Sequence, residues 1–235
     1  MNIYNTMNLP SAARIDRVVA KRQFYDNGDL SAADKKLFDH VEKIYWRYAL
    51  KTENTFLQPY ADEERDYSEI EVMEVILRDV RQLNRLAEII MRAIPYAMLL
   101  FFRHGEQIQM RMGKLRKNMA DSGRMTLTAV EQDDSWKAQS LGKAPTSNFY
   151  ALYEAWFDVV SKWKLACAGV AAESLSGDEA RAICERLGDI EKEIARLRGR
   201  MKRESQFNRK LELNTRLQAL KRERMKIMEQ RSDES

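Results

Sequence analysis

The sequence predicts an α+β fold, a mixed sheet with packed helices followed by a C-terminal helical hairpin or coiled coil. Three stretches predict it. Glu69–Arg103 reads strand, helix, strand: Ile70, Val72 and Ile76 alternate with Met73, Val75 and Leu77, so both strand faces are apolar and the strand belongs in the middle of its sheet. Phe149–Trp163 carries Phe149, Leu152, Tyr153, Trp156, Phe157, Val160 and Trp163 at helical spacing, a stripe suited to packing on a sheet. From Ser176 onward, apolar residues recur alternately every four and three positions.

The elements follow in order. Leu9-Pro10 is extended, and Ile15–Val19 suits a short strand. Lys21–Tyr25 is a basic-aromatic cluster ahead of a turn at Asn27-Gly28; it reads as a loop with anchoring rings, or as a phosphate contact. Ser31 begins a helix with Asp34 at the capping-partner position and Leu37, Val41 and Ile44 on its apolar side. Ile44–Leu50 favours a strand. Pro59–Tyr67 is an acidic loop, more typical of a solvated segment than of a metal site, because histidine and regular ligand spacing are missing.

Asp79 is placed to cap the helix through Leu83, Leu86, Ala87, Ile90 and Ile94, and Pro95 stops it before the buried strand Tyr96–Phe102. His104-Gly105 turns the chain into Gln107–Met112, with Lys114, Arg116 and Lys117 following on an edge or loop. Met125–Val130 is a further strand, Glu131–Pro145 is polar and irregular around Trp136, and Ser147 is the expected cap of the aromatic helix. The organisation expected is an α+β domain over 1–165, a hinge over 166–175 and a basic helical arm over 176–231.

That arm opens on a capping box, Ser176 with Glu179. Its seam, Ile183, Leu187, Ile190, Ile194, Leu197 and Met201, is a partner-helix surface, met either by the chain's own second arm or by another protein. The seam loses register through Lys202–Lys210 and resumes at Leu213, Leu217, Leu220 and Ile227. A hairpin turning near Glu204–Asn208, or a bent coiled coil, accommodates the break. Arg200, Lys202, Arg203, Arg209 and Lys210 concentrate charge there, as a solvated face or as a contact for nucleic acid or an acidic partner.

Composition narrows the function classes. Of 235 residues, 44% are hydrophobic and 32% charged, with a formal net charge of +4. The positive excess lies in Arg181–Arg231, which holds 16 Lys/Arg against 8 Asp/Glu. No apolar run approaches the roughly 20 residues that span a bilayer, and the first residues lack a signal-peptide core. The two cysteines, Cys167 and Cys184, form neither a disulfide framework nor a zinc motif, so the expected compartment is the cytoplasm. Phosphate loop, GxGxxG and HExxH motifs are absent, and His40 and His104 stand apart. No cofactor, metal ligand or catalytic residue is indicated. One enzyme reading stands as an alternative: Glu69, Glu71 and Glu74 on a central strand suit a metal-dependent nuclease, although the lysine such cores place two residues after an acid is missing.

Leu9-Pro10, Val41-Glu42-Lys43-Ile44-Tyr45-Trp46, Glu69-Ile70-Glu71-Val72, Ile94-Pro95-Tyr96 and above all Glu204–Asn214 (ESQFNRKLELN) together resemble the domain-of-unknown-function 4391 family. The chain departs from the family pattern at Ala20-Lys21-Arg22, where a proline-lysine pair is commoner, and between Asp121 and Ser147. The resemblance implies a setting beside helicases and DNA methyltransferases in restriction or phage-defence clusters, and it supplies no catalytic residues. The function expected is a non-catalytic accessory subunit of such a DNA-targeting assembly, docking through its C-terminal helices. Its expected partners are helicase- or methyltransferase-type proteins of the same operon, possible DNA contact and possible self-association through those helices, with no membrane. The alternatives are the nuclease and a free-standing nucleic-acid-binding protein.

Overall fold

A computed structural model describes residues 4, 7–26, 30–118, 121–133 and 147–229. The chain divides into two compact units, 1–156 and 157–235. The division falls inside the aromatic helix, ahead of the boundary expected at 165.

The first unit is built on one six-stranded sheet. Its strands are β1 (Arg14–Val19), β2 (Val41–Leu50), then β5 (Ile70–Leu77), β6 (Ala97–His104), β7 (Gln107–Asn118) and β8 (Asp121–Asp133), lying side by side in that order. The short strands β3 (Tyr60–Ala61) and β4 (Asp66–Tyr67) pair as a separate ribbon. Only β5 and β6 run parallel; the other neighbours in the large sheet are antiparallel. The helices are α1 (Arg22–Asp26), α2 (Ala32–Leu37), α3 (Thr52–Thr55), α4 (Leu83–Ala93) and α5 (Phe149–Cys167).

The central strand is where its apolar pattern places it. Ile70, Val72, Met73 and Val75 are buried, so both faces are covered. Met73, Val75 and Leu77 form one core with Leu86, Ala87 and Ile90 of α4, Phe24, Phe38, Val41 and Ile44. Val41 and Ile44 therefore belong to β2 and not to the helix expected from their spacing, since α2 stops at Leu37. A register shift between Val41 and Lys43 lets two residues three apart face the same core, which imitates a helical period.

Several local expectations are corrected. Asp79 pairs with Arg81 and does not cap α4, whose N-cap Gln82 has φ 45° and no side-chain bond. Asn148, not Ser147, caps α5, its Oδ1 accepting from the Ala151 amide at 2.8 Å. Lys114, Arg116 and Lys117 lie within β7, which is longer than expected, and pair with β8. The Lys21–Tyr25 cluster is an anchor: Phe24 is buried and stacks on Phe38, while the Lys21 ammonium donates to the Phe38 and Val41 carbonyls. Asn27-Gly28, Trp136 and 134–146 lie outside the described residues.

Helix α5 is pinned to the sheet by Tyr153, which is fully buried. The β6–β7 ladder runs as far as Leu99↔Met112. At the next position the Tyr153 hydroxyl stands between the strands, 2.8 Å from the Met98 carbonyl and 2.9 Å from that of Gly113. The Met98 and Gly113 amides donate back to it at 3.2 Å. A phenol thus replaces a rung of the sheet, and burial raises its pKa.

In the second unit, Gly169 (φ 82°) ends α5, with the Val170 amide donating to the Leu165 carbonyl at 2.9 Å. Val170, Ala172 and Leu175 are then buried with Leu165 and Ala180, so the stretch expected as a hinge has a small core of its own. Helix α6 (Gly177–Arg203) starts at the Ser176/Glu179 capping box as the sequence indicates. After Glu204–Gln206 the chain returns as α7 (Phe207–Glu229), making a helical hairpin.

Candidate functional site

The hairpin brings the sequence-assigned C-terminal residues into two groups. Ile190, Ile194 and Leu197 are buried against Leu213 and Leu217 of α7, with Met201, Leu220 and Ile227 packed around them. Ile183 and Leu187 pack at the base, near Leu175, Ala180 and Met228. The seam thus meets the chain's own second arm. Each such residue stabilises the pairing by about 1.5–3 kcal/mol when fully buried, before chain entropy is counted.

The charged group lies at the other end of the arm. Arg200, Lys202, Arg203, Arg209 and Lys210 are all exposed around the turn. Among the described residues none of the five forms an ion pair. The one acid inside the turn, Glu204, accepts from the Gln206 amide at 2.9 Å, and that bond holds its carboxyl below the ordinary range. Between these cations stand two apolar side chains that sequence reasoning did not assign to a site: Phe207 is 77% exposed and Leu211 is 56% exposed. At positions i and i+4 they share one stripe of α7. A signal was available, since both fall outside the register of Leu213, Leu217 and Leu220.

The acids of the central strand separate. Alternation places Glu69 and Glu71 toward one face and Glu74 toward the other. A lysine does reach the first pair, from just past the end of β2: Lys51 Nζ lies 2.9 Å from Glu69. Glu71 is only 3% exposed, and its carboxylate accepts a hydrogen bond from the Trp46 indole N–H. Burial pushes the Glu71 carboxyl up to about 7, against the opposing effect of that bond. His40 Nδ1 is 3.7 Å from Asp79, and His104 is exposed at the end of β6; the two share no site. Among the described residues no group of three or more His, Cys, Asp or Glu side chains is placed to hold a metal.

Glu74, on the opposite face, anchors a polar cleft that the sequence did not announce. Its carboxylate is buried between two guanidinium groups. Arg47 Nε approaches Oε2 at 2.7 Å, and Arg103 Nε approaches Oε1 at 2.5 Å. Arg47 also donates to Asp16 at 2.9 Å and lies 4.0 Å from the centroid of the Tyr45 ring. Asp16 sits where β1 shifts register, with φ 50°, in the left-handed region that costs a non-glycine residue about 1–3 kcal/mol. Arg14 pairs with Asp16 from the same strand. The Tyr4 ring packs near Tyr48 and Phe101, and burial together with the Glu74 charge raises its hydroxyl pKa. All of these side chains except Phe101 line a cleft of about 480 Å³.

Fold and sites together define an α+β protein with a mixed sheet, a basic helical hairpin and an ion-paired polar cleft. The family described as Domain of unknown function (DUF4391) matches residues 7–223, and the chain belongs to that family. No curated protein and no solved structure matches the chain. Among the described residues no helix is long and apolar enough to cross a membrane.

Proposed function

We propose that the protein is a non-catalytic accessory subunit of a DNA-targeting phage-defence or restriction–modification assembly in the cytoplasm, docking through the tip of its C-terminal hairpin. The observation that carries the reading is the turn itself. Five exposed cations without ion-pair partners among the described residues stand on either side of the turn that leads into exposed Phe207 and Leu211, while the apolar seam is already covered. An exposed aromatic residue in a turn rich in arginine and lysine suits an acidic partner surface with an apolar centre, because charge steers the encounter and the buried ring supplies most of the binding. The partner class comes from the setting that the family resemblance implies: a helicase- or methyltransferase-type protein of the same operon.

The test is co-expression with the neighbouring helicase and methyltransferase genes, followed by affinity purification. Phe207→Ala/Leu211→Ala should release the partner, and exchanging Arg200, Lys202, Arg203, Arg209 and Lys210 for glutamine should slow association and flatten its salt dependence. Retention of the partner by both variants would remove the tip from the interface. If the free protein binds DNA and the glutamine variant does not, the hairpin is instead a nucleic-acid-binding element.

A second reading, as a metal-dependent nuclease, draws on Lys51 standing beside Glu69 on the face that also holds Glu71. Against it, Glu71 is almost wholly buried and engaged by Trp46. Plasmid cleavage with Mg²⁺ or Mn²⁺ that disappears in Glu69→Ala would replace the first reading.

A further inference from the structure

The cleft over Glu74 is built with more hydrogen-bond donors than its own carboxylates use. Arg47 is fully engaged: Nε and one Nη group hold Glu74, and the other Nη group holds Asp16. Arg14 and Arg103 differ. Each engages a carboxylate through Nε, Arg14 with Asp16 and Arg103 with Glu74. The Nη groups of both make no hydrogen bond among the described residues. The three guanidiniums outnumber the two carboxylates, so the lining keeps a net positive charge.

The two underused arginines approach from opposite walls. Arg14 stands on β1 and Arg103 on β6, with β2 and β5 between them. Arg14 lies level with Leu99, four residues before Arg103, so three strand spacings across the sheet and four residues along it separate their backbones by about 19 Å, a span that the two arginine side chains shorten from either end. Donors converging from opposed directions suit a tetrahedral oxyanion with three terminal oxygens; a carboxylate offers only two, in one plane. The left-handed backbone at Asp16 is a second, independent sign. It swings that carboxylate between Arg14 and Arg47, and strain of this kind persists where the surrounding structure fixes a geometry for use. A space of about 480 Å³ is in the range of small-molecule sites and far exceeds a bare oxyanion, so an organic body would lie beside the charged group.

We propose that this cleft binds a phosphate monoester, with Arg14 and Arg103 gripping the phosphoryl oxygens from opposite sides and the Glu74–Arg47 pair as the floor that holds them apart. The site is separate from the hairpin tip and does not depend on the docking reading. The phosphate is carried either by a free nucleotide or by the 5′ end of a nucleic-acid strand, and the experiment distinguishes the two.

Calorimetric titration of the full chain with inorganic phosphate, a nucleoside 5′-monophosphate, the same nucleoside without phosphate, and short oligonucleotides with 5′-phosphate or 5′-hydroxyl ends reads the site. Binding by the monophosphate and not by the nucleoside is expected. A preference for the 5′-phosphorylated strand over the monophosphate would assign the strand end, and the reverse the free nucleotide. Arg14→Gln removes an exposed side chain whose only bond among the described residues is to Asp16, and it should weaken binding about tenfold. Arg103→Lys keeps the charge toward Glu74 but loses the fork, and a similar loss is expected. Arg14→Gln remains decisive if Arg103→Lys lowers the melting temperature, and Lys36→Gln, an exposed position of α2 that does not line the cleft, should bind as wild type. Equal binding of nucleoside and monophosphate, absence of binding at millimolar ligand, or unchanged affinity in Arg14→Gln would each overturn the proposal and leave the cluster a purely structural ion network.

Discussion

Replacing Glu71 with glutamine converts one buried carboxyl into a measurement of stability against pH. The folded carboxyl titrates at about 7 because burial disfavours its charge, whereas the unfolded chain returns it to 4.5. As pH rises past 4.5 the unfolded state releases this proton and the folded state keeps it. Folding stability attributable to Glu71 is therefore complete below about 4.5, declines through the interval, and is lost above about 7. At about 1.4 kcal/mol per pH unit the full interval is worth about 3 kcal/mol. Glutamine does not ionise, and its carbonyl oxygen still accepts from the Trp46 indole. Urea unfolding of both proteins by circular dichroism, from pH 4.5 to 8, should show the stability of Glu71→Gln relative to wild type rising by about 3 kcal/mol across the window. Other carboxylates cancel in that difference. A difference that stays flat with pH would show that Glu71 ionises like a surface glutamate, and the placement of its side chain would be wrong.

Two further substitutions test the body of the fold. Val72→Asp introduces an uncompensated charge at a wholly buried position of β5, and a loss of about 3–5 kcal/mol is expected; a soluble variant with an unchanged melting temperature would contradict the central placement of the strand. Tyr153→Phe removes the hydroxyl that replaces a rung between β6 and β7, leaving buried backbone groups of Met98 and Gly113 without a partner. It should cost about 1–3 kcal/mol and speed hydrogen exchange at those two amides specifically, where uniform acceleration across the sheet would indicate only general loosening.

Much of the fold is legible because hydrophobic period speaks directly about burial. The β5–α4–β6 unit carries period two, then a helical stripe, then an unbroken apolar run, with a proline at the join, and each signal has one interpretation. The α6–α7 seam is equally direct. Failures arise where two patterns overlap: Val41 and Ile44 look helical because a bulge in β2 resets the alternation. The lapse of heptad register with clustered charge leaves a hairpin and a bent coiled coil open, and the structure takes the hairpin. The Glu74 cleft was not found, because Asp16, Arg47, Glu74 and Arg103 are far apart in the chain and meet only through strand register and a bulge. One clue stood in plain view. A strand apolar on both faces that nonetheless contains Glu71 and Glu74 must give each acid a partner, since isolated buried carboxylates are scarcely tolerated. The order of residues along the chain does not say which arginines those partners are.

The order of strands in the large sheet has a consequence for how the protein is made. Each of its neighbours is also the next of its strands along the chain, with the β3–β4 ribbon as the insertion between β2 and β5. The parallel step is spanned by the single helix α4. Such a sheet holds no pairing that must wait for a distant segment, so the entropy of closing long loops is largely avoided and contact order stays low. During synthesis at about 5–20 residues per second, β2 can dock on β1, β5 on β2 and β6 on β5 as each leaves the ribosome, exposing one growing edge at a time. Helix α5 arrives only after β8, and its tyrosine then closes the gap between two strands that are already aligned.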